Sequence, residues 1–75
     1  MRLEKTYSMG QPLYLGEYRG FWCEIWYDKF ERVWTCDAGA LDGSEENAQF
    51  SEFTKDLLVD DFMNRVDSYH SGGRW

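Results

Sequence analysis

A chain of 75 residues with a formal net charge of −6 is expected to form one small domain, residues 1–75. A domain of this size buries only about 60% of the surface of its unfolded chain, which excludes a deep cleft between two lobes. Because phosphate contacts need clustered lysine and arginine, the acidic balance argues against direct binding of nucleic acid.

Aromatic residues make up 19% of the chain, a high fraction for so small a domain. They could enlarge the core, since each ring buries about 150–250 Å². They could also lie on the surface, where tryptophan and tyrosine often anchor protein–protein interfaces. The first interpretation predicts a packed interior, and the second predicts a binding surface.

The charge is divided unevenly along the chain. Residues 1–36 contain five acidic and five basic residues, whereas residues 37–75 contain nine acidic and three basic residues. This asymmetry indicates an interaction surface, although it can also serve only to keep a domain in solution. No apolar run approaches the length of a membrane span, and residues 1–11 lack the apolar segment of a signal peptide, so the expected location is the cytoplasm.

The first twenty residues are mixed in character and contain several glycines. Residues 3–9 and 12–18 are therefore predicted to form turns with one or two short strands. Residues 21–27 and 32–37 are rich in aromatic and β-branched residues, which predicts two strands. Residues 28–31 fit the turn between them, so residues 21–37 are expected to form a central hairpin.

A symmetric turn over residues 28–31 would place Cys23 opposite Cys36 and Ile25 opposite Trp34. Since side chains alternate along a strand, the hairpin is predicted to have two different faces. The predicted core face carries Cys23, Ile25, Tyr27, Trp34 and Cys36. The opposite, half-exposed face carries Trp22, Glu24, Trp26, Val33 and Thr35.

Residues 38–53 are predicted to be a loop with a third short strand near residues 48–53. Residues 54–70 show the clearest helical pattern, with Thr54 as N-cap and Gly72 and Gly73 after the end. Their apolar residues share one arc at 100° per residue, opposite several aspartates. The expected fold is therefore α+β, a small antiparallel sheet of two to four strands packed by one C-terminal amphipathic helix.

The residue types that usually carry chemistry form no recognised set. Cys23 and Cys36 are expected to be reduced core residues, with a cross-strand disulfide as the alternative. His70 is the only histidine and is expected to cap or pack the helix end. The acidic residues at 42–46 lack the spacing of a calcium loop, and no nucleophile motif is present. We therefore expect no enzyme activity, no metal and no cofactor.

The order of the elements is similar to that of a known group of proteins. Tyr18-Arg19-Gly20-Phe21 leads to Trp26-Tyr27-Asp28 and Val33-Trp34-Thr35, and Phe53-Thr54-Lys55-Asp56 opens a helix that closes with Val66-Asp67-Ser68-Tyr69. This pattern resembles small β-β-β-α proteins of phages and plasmids, including the partial RNase-H-like fold of HicB-type antitoxins. The usual Pro-Gly stretch after the second strand is missing. In size, acidity and aromatic content the chain also resembles phage inhibitors of host defence nucleases, including anti-CRISPR proteins.

Two functions are compatible with these patterns. The first is a phage or mobile-element inhibitor whose acidic face blocks a basic nucleic-acid-binding protein, such as a CRISPR or other defence nuclease. The candidate partner-binding residues are Glu45, Glu46, Glu52, Asp56, Asp60, Asp61 and Asp67, with Trp22 and Trp26 as anchors. The second is a HicB-like antitoxin or self-associating regulatory module, whose aromatic sheet face would form a homodimer.

Overall fold

The computed structural model describes every residue from Met1 to Trp75. It has the predicted α+β fold, but its antiparallel sheet contains five strands rather than two to four. Each strand pairs with its neighbours in sequence, so the sheet is an open meander. The elements are β1 (Leu3–Ser8), β2 (Gln11–Tyr18), β3 (Phe21–Asp28), β4 (Val33–Ala40), β5 (Ala48–Glu52) and α1 (Lys55–His70).

Strands β1 and β2 form a complete hairpin where the sequence predicts only turns with one or two short strands. The β1–β2 turn has φ angles of 53° at Met9 and 79° at Gly10. The β2–β3 turn repeats this conformation, with 46° at Arg19 and 86° at Gly20. Two central residues with positive φ are typical of type I′ turns, whose twist matches that of the flanking strands. Gly10 and Gly20 therefore lie in tight hairpin turns between strands, and not in an irregular region.

The central hairpin has a different turn from the predicted one. Strand β3 continues through Asp28, and residues 29–32 form a four-residue loop before Val33. The Oδ1 atom of Asp28 accepts hydrogen bonds from the backbone N–H groups of Phe30 (2.9 Å) and Glu31 (3.1 Å). This side chain thereby organises a turn that begins after residue 28, and the strand pairing moves by two residues.

The cysteines show the effect of this move. Cys23 pairs with Ala38 and Ile25 with Cys36, so the predicted pairing of Cys23 with Cys36 is wrong. A shift of two residues keeps every side chain on its face, and Cys23, Ile25 and Cys36 are buried as predicted. Both cysteines are free thiols. The neighbouring Cys23 thiol, together with burial, raises the pKa of the Cys36 thiol and favours its protonated form. The Cys36 Sγ donates to the Asp37 carbonyl oxygen at 3.4 Å.

Helix α1 begins and ends where the sequence predicts. The Thr54 side chain caps the first turn by accepting a hydrogen bond from the Leu57 N–H at 3.2 Å. Gly72, with φ 94°, provides the left-handed residue after the last turn. Between these ends Leu58, Phe62 and Val66 are fully buried against the sheet. The helix is neither long nor apolar enough to cross a membrane.

The core lies between α1 and one face of strands β3, β4 and β5. Trp75 packs at the edge of this core. Its ring centroid lies 4.4 Å from that of Phe21, and its Nε1 donates a hydrogen bond to the Glu46 carbonyl oxygen at 2.8 Å. The Arg65 guanidinium lies near both the Phe50 and Trp75 rings, at 5.1 and 5.0 Å from their centroids. The buried hydrophobic residues of this core are Phe21, Cys23, Ile25, Cys36, Ala38, Ala40, Leu58, Phe62 and Val66.

Replacing Thr54 with alanine removes the oxygen that accepts the Leu57 N–H bond. We expect Thr54→Ala to lower the free energy of unfolding by about 1 kcal/mol, measured by urea titration. Thr54→Ser keeps the accepting oxygen and should retain most of the stability. Equal losses in the two variants would show that the methyl group, and not the cap, stabilises this end of the helix.

Candidate functional site

One face of the sheet has no helix over it. On β3 the buried residues Cys23 and Ile25 point toward α1, so Trp22, Glu24 and Trp26 point the other way. We call this second surface the open face. The strand pairing identifies the other residues of the open face, since residues paired across strands point to the same side. They are Asp28 at the end of β3, Glu4, Thr6 and Ser8 on β1, Gln11, Leu13, Leu15 and Glu17 on β2, Val33, Thr35, Asp37 and Gly39 on β4, and Gln49 and Ser51 on β5.

Large apolar side chains occupy the middle of the open face. Leu13, Leu15, Trp22 and Trp26 are all half-buried, although no other element packs over them. Trp22 lies over Gly39, because a Cβ atom built on that glycine would be only 3.0 Å from two atoms of the indole ring. Because residue 39 has no side chain, the Trp22 ring can approach β4 closely.

The charged residues of the open face all have the same sign. Among the strand residues, five carboxylates lie there and no lysine or arginine does, since Lys5, the only basic residue in any strand, points to the helix side. The single ion pair of the structure, between Arg19 and Asp67, involves none of them. The five acidic residues are Glu4, Glu17, Glu24, Asp28 and Asp37. The open face therefore combines apolar side chains with uncompensated negative charge.

Two of these carboxylates lie directly opposite each other. Glu24 on β3 pairs with Asp37 on β4, and Asp37 pairs in turn with Gln49 on β5. The Nε2 atom of Gln49 donates to Asp37 Oδ1 at 2.8 Å, which orients that carboxylate. On the other side Glu24 pairs with Leu15, which itself pairs with Glu4. Like charges directly opposite each other on adjacent strands destabilise a sheet, so an external cation would stabilise this row.

The structure separates the predicted partner-binding residues into two groups. Trp22 and Trp26 lie on the open face, whereas the acidic residues of α1 lie on the opposite side of the sheet. Asp56, Asp60 and Asp61 are exposed on the helix, and Glu46 is exposed in the loop before β5. A single flat partner surface therefore has no simultaneous access to the tryptophans and the helix acids.

Four of the predicted acids already have neighbours within the chain. The Asp67 carboxylate accepts hydrogen bonds from Arg19 Nη1 (2.7 Å) and the Tyr18 hydroxyl (2.8 Å), which lower its pKa. The hydrogen-bonded, like-charged Asp61 raises the pKa of Glu52. Glu45 lies close enough to Tyr69 to raise the pKa of its phenol through a hydrogen bond.

No group of three or more His, Cys, Asp or Glu side chains is placed to hold a metal ion. The His70 ring makes an edge contact with Phe21, with centroids 6.1 Å apart, and its Nε2 lies 2.7 Å from the Arg19 carbonyl oxygen. Its role in the fold is therefore packing between α1 and the β2–β3 turn.

Sequence reasoning missed most of the open face. Glu24 is recognised beside Trp22 and Trp26, but Leu13, Leu15 and Glu17 are assigned to a region of turns. Their spacing of two residues was the available signal, since apolar and polar side chains alternate along a half-buried strand. Asp37 is counted among the acids of the second half, and its position beside Glu24 follows only from the strand pairing.

Comparisons of this chain with models of protein families, with curated proteins and with solved structures found no match. What the protein does is therefore inferred from its own residues.

The position of Trp22 depends on Gly39. A Cβ atom at residue 39 would lie 2.5 Å from Asn47 Oδ1 and 3.0 Å from the Trp22 ring, so Gly39→Ala must displace one or both. We expect a loss of about 1–3 kcal/mol in the free energy of unfolding and a changed near-ultraviolet circular dichroism spectrum. In a Trp22→Ala background the same substitution should cost less. An undiminished cost would contradict the contact with Trp22.

The hydrogen bonds to Asp67 predict a pH dependence of stability. Because the folded-state pKa of Asp67 is lowered, its contribution is present at neutral pH and is lost as the pH falls through that lowered value. Asp67→Asn should therefore be less stable than the parent chain at pH 7, and the difference should shrink below about pH 4, the ordinary aspartate range. Urea titrations at several pH values measure this, with exposed Asp60→Asn as control. A difference that is independent of pH would contradict it.

Proposed function

We propose that this protein is a non-enzymatic binding module whose open face docks on a basic surface of a partner protein. The observation that carries the proposal is the composition of this face, four large apolar side chains with five carboxylates and no base. Protein interfaces combine aromatic anchors with charges that complement the partner. The complement of the open face is a positively charged surface with apolar contacts at its centre.

Basic surfaces of this kind are typical of proteins that bind nucleic acid, because they neutralise phosphates. A protein seated on such a surface excludes DNA or RNA from it. The proposed activity is therefore inhibition by occupation, exerted in the cytoplasm. The small size and acidity that the chain shares with phage inhibitors of defence nucleases, including anti-CRISPR proteins, support an origin in a phage or mobile element.

The acidic residues of α1 are proposed to attract the partner at long range and not to contact it. Asp56, Asp60 and Asp61 face away from the open face, so they add to the net charge of −6 without touching the same partner surface. Charges remote from an interface mainly increase the rate of association, and salt screens them over about 8–10 Å. We therefore assign contact to the open face and long-range attraction to the helix acids.

A second candidate function is a self-associating regulatory module. A symmetric dimer through the open face would bring the same carboxylates of two copies together, which opposes it. The turn tips favour association elsewhere, because Met9, Phe30 and Phe53 are 101%, 99% and 81% exposed at one end of the sheet. Light scattering at micromolar concentration separates the candidates, since a monomer supports the first and a dimer the second.

The proposal is tested by capturing partners from nuclease-treated bacterial lysate on the immobilised protein. We expect a nucleic-acid-binding protein that is released by rising salt and whose DNA or RNA binding the free protein inhibits. Glu17→Gln combined with Glu24→Gln should weaken the complex by about tenfold. These residues are exposed, so the fold should tolerate both changes.

The matched control removes the same amount of charge from the other side of the molecule. Glu46→Gln combined with Asp60→Asn changes two exposed carboxylates outside the open face. It should reduce the association rate only slightly and leave the dissociation rate unchanged. Equal weakening by the two double variants would show that net charge, and not the open face, governs binding. A partner without nucleic-acid-binding activity would contradict the inhibitory role.

A further inference from the structure

We infer that Trp22, Glu24 and Trp26, together with Asp37, form a receptor for arginine side chains of a protein partner. The inference rests on the proposed function and names the side chain that the open face recognises. It starts from the order of three consecutive open-face positions on β3, an aromatic ring, a carboxylate and a second aromatic ring. Such positions are about 7 Å apart along a strand.

The surface has room for a ligand on both sides of Glu24. Two shallow depressions of about 490 and 520 Å³ lie on the open face, and Glu24 lines both of them. Trp22 lines the first and Trp26 the second. Each depression therefore offers one indole ring beside the shared carboxylate. A long side chain that enters either of them meets an aromatic surface and a negative charge together.

The carboxylates at this place have no positive partner in the chain. Glu24 and Asp37 are directly opposite each other, and neither forms an ion pair. Gln49 holds one oxygen of Asp37 through its 2.8 Å hydrogen bond and leaves the second oxygen without a side-chain donor. A cation bound between the two carboxylates would relieve their repulsion, so the charge arrangement selects a cationic ligand.

The aromatic rings select arginine over lysine. A guanidinium group is planar and stacks on an indole face, and its five N–H donors reach two carboxylates at once. An ammonium group is a compact and strongly hydrated charge with neither property. Within the protein both kinds of cation lie near aromatic rings, since the Arg65 guanidinium is 5.0 Å from the Trp75 centroid and Lys55 Nζ is 4.1 Å from the Tyr14 centroid. The selection of arginine therefore rests on planar stacking together with the two carboxylates.

The test uses two fluorescein-labelled peptides of equal charge, hexa-arginine and hexa-lysine with blocked ends, and measures binding by fluorescence anisotropy. The full chain should bind hexa-arginine about fivefold more tightly than hexa-lysine. Trp26→Leu keeps an apolar side chain but removes one of the two ring faces, so it should reduce this preference. Glu24→Gln should lower the affinity for both peptides, and the affinity for hexa-arginine should fall more.

Glu46→Gln combined with Asp60→Asn serves as the charge control and should leave the ratio of the two affinities unchanged. Circular dichroism checks that each variant is folded. If Trp26→Leu is unstable, Glu24→Gln still tests the inference, because Glu24 is exposed and its replacement should not disturb the fold. Equal binding of the two peptides by the parent chain, or a preference that is undiminished in both Trp26→Leu and Glu24→Gln, overturns the arginine receptor. Equal binding that still depends on Glu24 leaves the proposed docking on a basic surface intact, and the capture experiment tests that function separately.

Discussion

The packing of a single helix on one side of a five-stranded sheet determines the rest of the structure. Helix α1 has 16 residues, so it is about 24 Å long and about 10 Å wide. Five strands span about 19 Å across the sheet. Leu58, Phe62 and Val66 therefore cover the face of β3, β4 and β5, while β1 and much of β2 extend past the helix. The remaining surface of the sheet must be made compatible with water by its own side chains.

The open face meets this requirement in an unusual way. Strand residues that face water are commonly polar, yet here Leu13, Leu15, Trp22 and Trp26 shield one another and stay half-buried. Carboxylates surround them, and their mutual repulsion opposes folding. The contrast with Asp67 is informative, because that carboxylate is satisfied by Arg19 and Tyr18 across the fold. Carboxylates without positive partners beside half-buried indole rings do not stabilise the sheet, which supports the proposal that the open face binds a partner.

Local patterns were sufficient for the helix and the central strands. Thr54, Gly72 and the apolar arc define α1 through interactions within a few residues, so their signal is present in the sequence itself. The pairing of Cys23 with Ala38 depends instead on the hydrogen bonds that Asp28 makes in the loop, which a count of turn residues does not reveal. The β1–β2 and β2–β3 turns were not predicted as hairpin turns, because they begin with Met9 and Arg19, residues that rarely take positive φ.

The same limit explains why the predicted acidic site residues all lie in the second half of the chain, whereas the open face takes most of its carboxylates from the first half. Residues 1–36 are neutral as a sum, yet four of their five acids, Glu4, Glu17, Glu24 and Asp28, point to the open face. Their five bases lie before β1, in the turns or on the helix side, at Arg2, Lys5, Arg19, Lys29 and Arg32. Alternation along the strands thus separates charges that cancel in a linear count. The neutral half of the sequence supplies most of the acidic surface, and Asp37 completes it across the β3–β4 pair.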